Sequence, residues 1–172
     1  MEFLGGGDCT VNNIQIRLIT AADNPVIAGI IRTNLKKFNL DIPGTAYFDP
    51  ELDCLSKYYL TAPEKRAYFI AEDDDRQIIG GVGVAEFESI DCCAEIQKLY
   101  LTDAAKGKGL GRLLMQTAEN FAKEKNYKKL YLETHSDLKA AVRLYEKLGF
   151  REIDRPAFVF HSTMDRFYLK EL

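Results

Sequence analysis

Residues 106–111, Lys-Gly-Lys-Gly-Leu-Gly, join a predicted strand over residues 94–101 (AEIQKLYL) to a predicted helix that starts at Arg112. Free backbone N–H groups and the helix dipole at such a junction favour a phosphate group. Glycines let the backbone approach a ligand closely, and Lys106, Lys108 and Arg112 add positive charge. The segment predicts a pyrophosphate site. The alternative is an ordinary strand-to-helix loop with solvated lysines.

Spacing excludes two other phosphate-binding motifs. The string G-x-x-x-x-G-K-[ST] of a P-loop does not occur in the chain. A dinucleotide fingerprint needs G-x-G-x-x-G, whereas Gly107, Gly109 and Gly111 give G-x-G-x-G. Glu133 ends the next predicted strand at a suitable distance, but too little chain follows it for a dinucleotide fold. We therefore reject a dinucleotide fold, and the glycine spacing disfavours a nucleotide-dependent oxidoreductase.

The apolar patterns predict an α/β protein with a mixed sheet. Alternating apolar residues indicate strands, and apolar residues three and four positions apart indicate helices. Strands are predicted over residues 14–19, 66–71, 77–87, 94–101, 129–134, 150–154 and 166–169, and helices over 21–38, 52–59, 112–125 and 138–148. The order is β–α–α–β–β–β–α–β–α–β–β.

The charge distribution favours a small anionic ligand over a polymer. The 172 residues are 47% hydrophobic with a formal charge of −3, so no overall basic field attracts nucleic acid or an anionic membrane. Residues 1–95 hold 8 Lys and Arg against 16 Asp and Glu, whereas residues 96–172 hold 15 against 10. Residues 106–129 hold seven basic and two acidic side chains.

Cysteine usage and the N-terminal sequence predict a soluble cytoplasmic protein without a metal site. None of the four cysteines has metal-ligand spacing, and reduced thiols are typical of a cytoplasm; they are Cys9, Cys54, Cys92 and Cys93. The first residues lack the basic and apolar regions of a signal peptide. The longest apolar stretch, residues 78–85, is too short to span a bilayer. We expect a flexible tail over residues 1–12 and one domain over residues 13–172.

Three motifs in order resemble the GCN5-related N-acetyltransferase (GNAT) superfamily. Residues 106–111 resemble its acetyl-CoA loop, [Q/R]-x-x-G-x-[G/A], and EIQKLYL (95–101) and AAVRLYEKLGF (140–150) are similar to its fourth strand and to the motif around its fourth helix. The resemblance is strong over residues 94–154. Two departures are Lys106, which replaces the usual Gln or Arg, and Leu138, where many members have an Asn that contacts the cofactor.

This resemblance implies a mixed sheet of about seven strands with about four helices, in which the fourth and fifth strands splay apart. Acetyl-CoA would lie in that gap as cosubstrate, its pantetheine beside the fourth strand and its pyrophosphate on the amides of the glycine loop. The implied cofactor-binding residues are Leu99, Tyr100, Leu101, Lys106, Gly107, Lys108, Gly109, Leu110, Gly111 and Arg112. Dimers are common in the family, so the resemblance allows a homodimer, although the sequence does not fix the oligomeric state.

Glu95 and Tyr145 are the catalytic candidates. Glu95 precedes Gly109 by 14 residues, the offset of the catalytic Glu in histone-acetylating members. Ala94 and Ile96 flank Glu95, and apolar surroundings raise the pKa of a carboxyl group toward that of a useful base. Tyr145 matches the family tyrosine near the sulfur of CoA, where its phenol would protonate the departing thiolate. Otherwise Glu95 is a solvent-facing strand carboxylate and Tyr145 an aromatic core residue.

Other residues remain as alternatives. Glu133, Glu86 and Glu88 rival Glu95 as the base. Cys92 and Cys93 suggest an acetyl-cysteine intermediate, but no histidine adjoins them in sequence, so packing roles and direct transfer are favoured. His161 is a candidate for lining the acceptor site, because the last strands of the family border it, and otherwise it is a structural or surface residue, as is His135.

The acceptor is expected to be a cationic amine of a small molecule or a peptide. The family builds its acceptor pocket from segments that correspond here to residues 38–59 and 155–167. The first of them contains an aromatic and acidic set: Tyr47, Phe48, Asp49 and Glu51. A solvated acidic surface is the alternative. The predicted function is an acetyl-CoA-dependent N-acetyltransferase, and the alternative is a non-catalytic acyl-CoA-binding module with the same fold.

Overall fold

The computed structural model describes residues 14–172, and the predicted tail, with Cys9, lies outside them. The strands are β1 Gln15–Leu18, β2 Ala67–Glu72, β3 Ile78–Glu86, β4 Cys93–Leu101, β5 Lys129–Thr134, β6 Arg151–Ile153 and β7 Arg166–Glu171. The α-helices are α1 Asn24–Lys37, α2 Leu55–Leu60, α3 Leu110–Glu124 and α4 Lys139–Lys147. Short 3-10 turns include Ala46–Phe48 and Leu52–Cys54, between α1 and α2.

The seven strands form one mixed sheet in the order β1-β2-β3-β4-β5-β7-β6. Every neighbouring pair is antiparallel except β4 and β5, which are parallel because α3 returns the chain between them. The sheet, its four helices and its opening between β4 and β5 confirm the predicted fold class.

Helices cover both faces of the sheet, so its central strands are buried on both sides. On one face, α1 and α2 pack on the sheet through Ile27, Ile31 and Leu55. On the other, Leu114 and Ala118 of α3 and Tyr145 of α4 pack in a second cluster with Val82, Val84 and Leu130 of the sheet. Within residues 14–172, every helix falls short of the length and apolar character that a membrane crossing requires.

The predicted element ends differ from the structure mainly at turns. Helix α3 begins at Leu110, two residues before the predicted start, because Gly109 with φ +79° forms the residue that precedes the helix. The first predicted helix is divided, since Ala21–Asp23 is a 3-10 turn that leads into α1. The earlier start of α3 moves Leu110 and Gly111, two predicted cofactor-binding residues, from the loop into the first turn of the helix.

Candidate active site

A gap between β4 and β5 forms the centre of the site. Their parallel pairing covers three residue pairs and ends at Glu95 and Tyr131. Beyond that point β4 continues to Leu101, paired with β3, and β5 continues to Thr134, paired with β7. The edge of β4 that faces β5 therefore has no strand beside it, and an extended ligand can pair with its backbone as an added strand.

A cleft of about 690 Å³, partly open to solvent, follows this gap. Residues 95–100 of β4 line the cleft, and they include the predicted cofactor-binding residues Leu99 and Tyr100. Tyr145 of α4 and Leu138, the residue before α4, also line it. Its other side includes Glu133, Thr134, His161 and Met164. The structure thus places both catalytic candidates, Glu95 and Tyr145, on one cleft.

The glycine loop lies at the N-terminus of the 15-residue helix α3. Gly107 and Gly109 have φ of +75° and +79°, and a Cβ atom on either would meet no atom within 4 Å. Residues 106–109 are exposed, and the first amides of α3 have no carbonyl partner within the helix. The space in front of the loop can therefore receive an anion on backbone N–H groups.

The predicted loop residues do not all face this space. Lys106 donates through Nζ to Asn34 Oδ1 (2.6 Å) and to Asp103 Oδ1 (2.9 Å). Leu110 is buried in the core, and a Cβ on Gly111 would approach Leu144 Cδ2 to 3.1 Å. Gly111 therefore allows α3 to lie close to α4. Lys108 and Arg112 are exposed beside the loop.

The carboxyl group of Glu95 is buried, which excludes the alternative of a solvent-facing strand carboxylate. Glu95 is 8% exposed, and its Oε2 accepts a hydrogen bond from Gln97 Nε2 at 2.7 Å. Tyr59 in turn donates its phenol to Gln97 Oε1 at 2.7 Å. Burial raises the pKa of Glu95 to about 7, and the charge of Glu133 adds to this, while the bond from Gln97 opposes it. Near neutral pH, Glu95 can therefore either accept or release a proton.

The rival carboxylates have different surroundings. Glu133 accepts from the backbone N–H of His161 at 3.1 Å and from the phenol of Tyr131 at 3.3 Å. The ring Nδ1 of His161 lies 2.8 Å from Glu133 Oε1. Glu86 is ion-paired with Arg66 at 2.5 Å, and Glu88 is exposed. Glu95 differs from these three carboxylates because it is buried and accepts from a neutral side chain, that of Gln97.

Four side chains on four separate segments form a buried ion-pair network, which we call the bridging network: Lys98, Asp49, His161 and Glu133. Lys98 Nζ lies 2.7 Å from Asp49 Oδ2, and His161 Nε2 lies 3.0 Å from Asp49 Oδ1. Burial alone would lower the pKa of His161, but its hydrogen bonds to Asp49 and Glu133 raise it to about 9. Burial would raise the pKa of Asp49, but His161 and Lys98 outweigh burial and lower it.

Lys98 and Gln97 are site residues that the sequence analysis missed. Val82 of β3 lies opposite both Lys98 and Leu99, so β4 contains a bulge, and Lys98 has φ +49°. Its side chain is 7% exposed because the bulge turns it toward Asp49. A signal existed in the sequence: polar residues at 95, 97 and 98 break the alternation of a strand, and bulges are frequent beside active sites.

Tyr145 and Leu138 both lie on the cleft. Burial raises the pKa of Tyr145 well above its usual value, so its phenol keeps its proton at neutral pH. The ring also packs toward Phe150 and Tyr168, with centroids 6.1 and 6.4 Å away. Leu138 is the residue before α4, and its apolar side chain offers no hydrogen bond where many family members have an Asn.

Cys92 and Cys93, the two cysteines that precede Glu95, lie at the start of β4. Cys93 is buried in β4, and burial raises the pKa of its thiol to about 12, so it stays protonated. Cys92 is exposed with φ +55°, and its carbonyl accepts from the amides of Lys128 and Lys129. Within residues 14–172, no group of three or more His, Cys, Asp and Glu side chains is arranged to hold a metal ion.

A second, wider cavity opens on the other side of Glu95. It shares Glu95, Gln97, Lys98 and His161 with the cleft, so these four residues stand between the two spaces. Carboxylates and aromatic rings supply most of the other lining: Glu51, Glu86, Glu88, Tyr58, Phe87, Phe158 and Phe160. Of the predicted acceptor set, Glu51 lines this cavity, whereas Asp49 lies in the bridging network and Tyr47 packs on the core.

Comparison with known proteins identifies the family of this chain. Residues 34–150 match the acetyltransferase (GNAT) family. The chain belongs to this family. It is similar to the uncharacterized N-acetyltransferase YjgM of Escherichia coli K12, with 39% identity over 84% of this chain and 89% of that protein.

Solved structures agree with the fold at low identity. An acetyltransferase of the GNAT family from Staphylococcus aureus Mu50 has a TM-score of 0.81 at 23% identity, covering 92% of this chain and 98% of that one. A spermidine N-acetyltransferase from Vibrio cholerae, in complex with CoA and spermine, has a TM-score of 0.66 at 22% identity, covering 92% and 95%. At these identities the likeness concerns the fold alone.

Proposed function

We propose that this GNAT-family protein is an acetyl-CoA-dependent N-acetyltransferase that acts on a primary amine by direct transfer in a ternary complex. One observation carries the proposal: Glu95 lies where the cleft along the open edge of β4 meets the acidic, aromatic cavity. A donor in the first space and an acceptor in the second would face each other at this carboxyl group.

Backbone groups would hold the donor. The edge of β4 at Leu99 to Leu101 has no strand beside it and suits the amides of a pantetheine chain, although the carbonyl of Leu101 already accepts from Asn34 Nδ2 at 2.9 Å. The amides from Gly107 to Arg112 suit a pyrophosphate. The open space at Gly107 and Gly109 supports this fit, because any side chain there would occupy it. Acetyl-CoA supplies an acetyl thioester when bound.

Two side chains would move the protons. An alkylamine is mostly protonated at neutral pH and must lose a proton before it can attack, so a base with a pKa near the working pH is best suited. Glu95, with its pKa of about 7, meets that need, directly or through water. Tyr145 retains its phenolic proton and is the candidate donor to the departing sulfur.

The second cavity would select a cationic amine. Four carboxylates line it against the two cations Lys98 and His161. Phe158 and Phe160 are 63% and 61% exposed, an apolar surface that the carbon chain of an acceptor could cover. A primary amine of a small molecule or a peptide suits this combination, and the GNAT enzyme from V. cholerae with spermine gives one example of such a ligand.

Thermal unfolding with acetyl-CoA, NADH and ATP in parallel tests the proposal. Acetyl-CoA at 100 times its Kd should stabilise the protein by about 2.7 kcal/mol, a shift of several degrees, and the other nucleotides should not. Thiol release is then measured across a panel of mono-, di- and polyamines and peptides. Binding without thiol release from any amine would favour a non-catalytic acyl-CoA module, and no binding would refute the proposal.

A further inference from the structure

His161 stands between two carboxylates, with one on each ring nitrogen. Nδ1 lies 2.8 Å from Glu133 Oε1, and Nε2 lies 3.0 and 3.2 Å from the oxygens of Asp49. The two carboxylate side chains are each 5% exposed, and that of His161 is 17% exposed. A neutral imidazole has one N–H, so its other nitrogen would direct a lone pair at a buried carboxylate oxygen. Both carboxylates receive a hydrogen bond from the ring only when both ring nitrogens carry a proton.

The bridging network also crosses the gap where the sheet has no backbone bonds. Lys98 belongs to β4 and Glu133 to β5, both beyond the last paired residues, Glu95 and Tyr131. Asp49 and His161 connect them, through contacts of 2.7, 3.0 and 2.8 Å. The same contacts attach the segment after α1 and the segment between β6 and β7 to the open strands.

We propose that His161 is a positioning residue. As an imidazolium it donates a hydrogen bond to Glu133 and another to Asp49 across the gap. Because both carboxylates are paired in this way, Glu95 is the carboxyl group that exchanges a proton with the acceptor. The inference rests on the proposed function for the role of Glu95. The charge and the contacts of His161 do not depend on it.

The charges around the two groups set the expected effect of removing the imidazolium. Asp49, Glu133 and Lys98 face His161, and Glu133, Lys98 and His161 itself act on Glu95, which also accepts from Gln97. The positive charge of His161 lowers the proton affinity of Glu95, and that of Lys98 acts in the same direction, while Glu133 opposes them. Loss of His161 should therefore make Glu95 bind its proton at higher pH.

Carbon-13 NMR of the glutamate carboxyl groups in the free protein tests this expectation. In His161→Gln, the midpoint of Glu95 should rise by about 0.5 to 1 pH unit. Glu95→Gln assigns the signal. His135→Gln, at the other histidine, is the matched control and should not move the midpoint. An unchanged titration of Glu95 in His161→Gln would overturn the proposal.

Nitrogen-15 NMR of wild-type imidazoles needs no variant at the site and covers the case in which His161→Gln does not fold. Both nitrogens of His161 should remain protonated at pH 8, and one proton should be lost near pH 9. A neutral ring at pH 7 would overturn the proposal.

Hydrogen exchange measures the bridging role. The amides of Asp49 and Leu52, which close the turns after Ala46 and Asp49, should exchange at least tenfold faster in His161→Gln. Asp49→Asn, which keeps an oxygen for Nε2 but loses the charge, should give a smaller increase. Exchange as in wild type would refute the bridging role. All three measurements use the free protein, so a failure to bind acetyl-CoA would refute the proposed function and leave them unaffected.

Discussion

On the side of the gap that carries the glycine loop, which we call the donor side, the protein offers backbone groups and empty space. Gly107 and Gly109 leave room where any other residue would place a side chain. On the opposite, acceptor side, buried charges from four segments contact one another, and Lys98 and Asp49 are both almost fully covered. A negative charge introduced on the donor side should therefore weaken acetyl-CoA binding strongly, whereas changes on the acceptor side should alter rate and pH dependence.

Gly109→Asp should have the largest effect, because its carboxylate would occupy the positive end of α3 and repel a pyrophosphate. We expect acetyl-CoA affinity to fall by more than 100-fold in calorimetric titration. Gly109→Asn is the matched control, since Asn has the same shape without charge and tolerates the left-handed conformation that φ +79° requires. Equal affinities in the two variants would refute an anion site on this loop.

Glu95→Gln should have the next largest effect, lowering kcat by about 10²- to 10⁴-fold at pH 8 because a general base is lost. In wild type, the rate should fall as the pH drops below about 7, where Glu95 becomes protonated. The rate of the variant should lack this decrease below pH 7 and should change only with the ionisation of the acceptor amine. Glu88→Gln, an exposed neighbour, is the control. A wild-type pH profile in Glu95→Gln would transfer the role of base to another group.

The same variant should be more stable than wild type at high pH. The pKa of Glu95 is raised from 4.5 to about 7, so the folded state binds the extra proton, and stability falls as pH rises through that interval. Replacing the carboxyl should recover up to about 3 kcal/mol at pH 8 and almost nothing at pH 4.5. Urea unfolding at the two pH values measures the difference. A less stable variant at pH 8 would contradict the burial argument.

The donor side could be predicted from the sequence because its parts are contiguous: strand, glycines and helix follow one another within residues 94–125. The raised pKa of Glu95 was also predictable from its apolar neighbours. The bridging network was not, because Asp49 and His161 lie 112 residues apart and meet only when the sheet is assembled. The broken alternation at residues 95, 97 and 98 indicates an irregular strand, but it does not show that the side chain of Lys98 turns toward Asp49.

Tyr145→Phe tests where the two sides meet. The phenol is a candidate proton donor, so kcat should fall by about 10²-fold while the affinity for acetyl-CoA remains near that of wild type. Tyr168→Phe, which removes the phenol of a neighbouring buried tyrosine, is the matched control. Equal losses of stability and rate in both variants would indicate that Tyr145 serves only to pack the core.

Charges at the rim of the acceptor cavity should have the smallest effects. Glu88→Gln removes one negative charge from a solvated wall, where a single ion pair contributes about 0.2 to 1 kcal/mol. The KM for a diamine should therefore rise about two- to fivefold, with kcat and the KM for acetyl-CoA unchanged. Salt should reduce this difference, because it screens exposed charges. A monoamine, which has no second charged group, should not distinguish the variant from wild type, and an equal rise for both amines would mean that the cavity recognises the carbon chain and not a second charge.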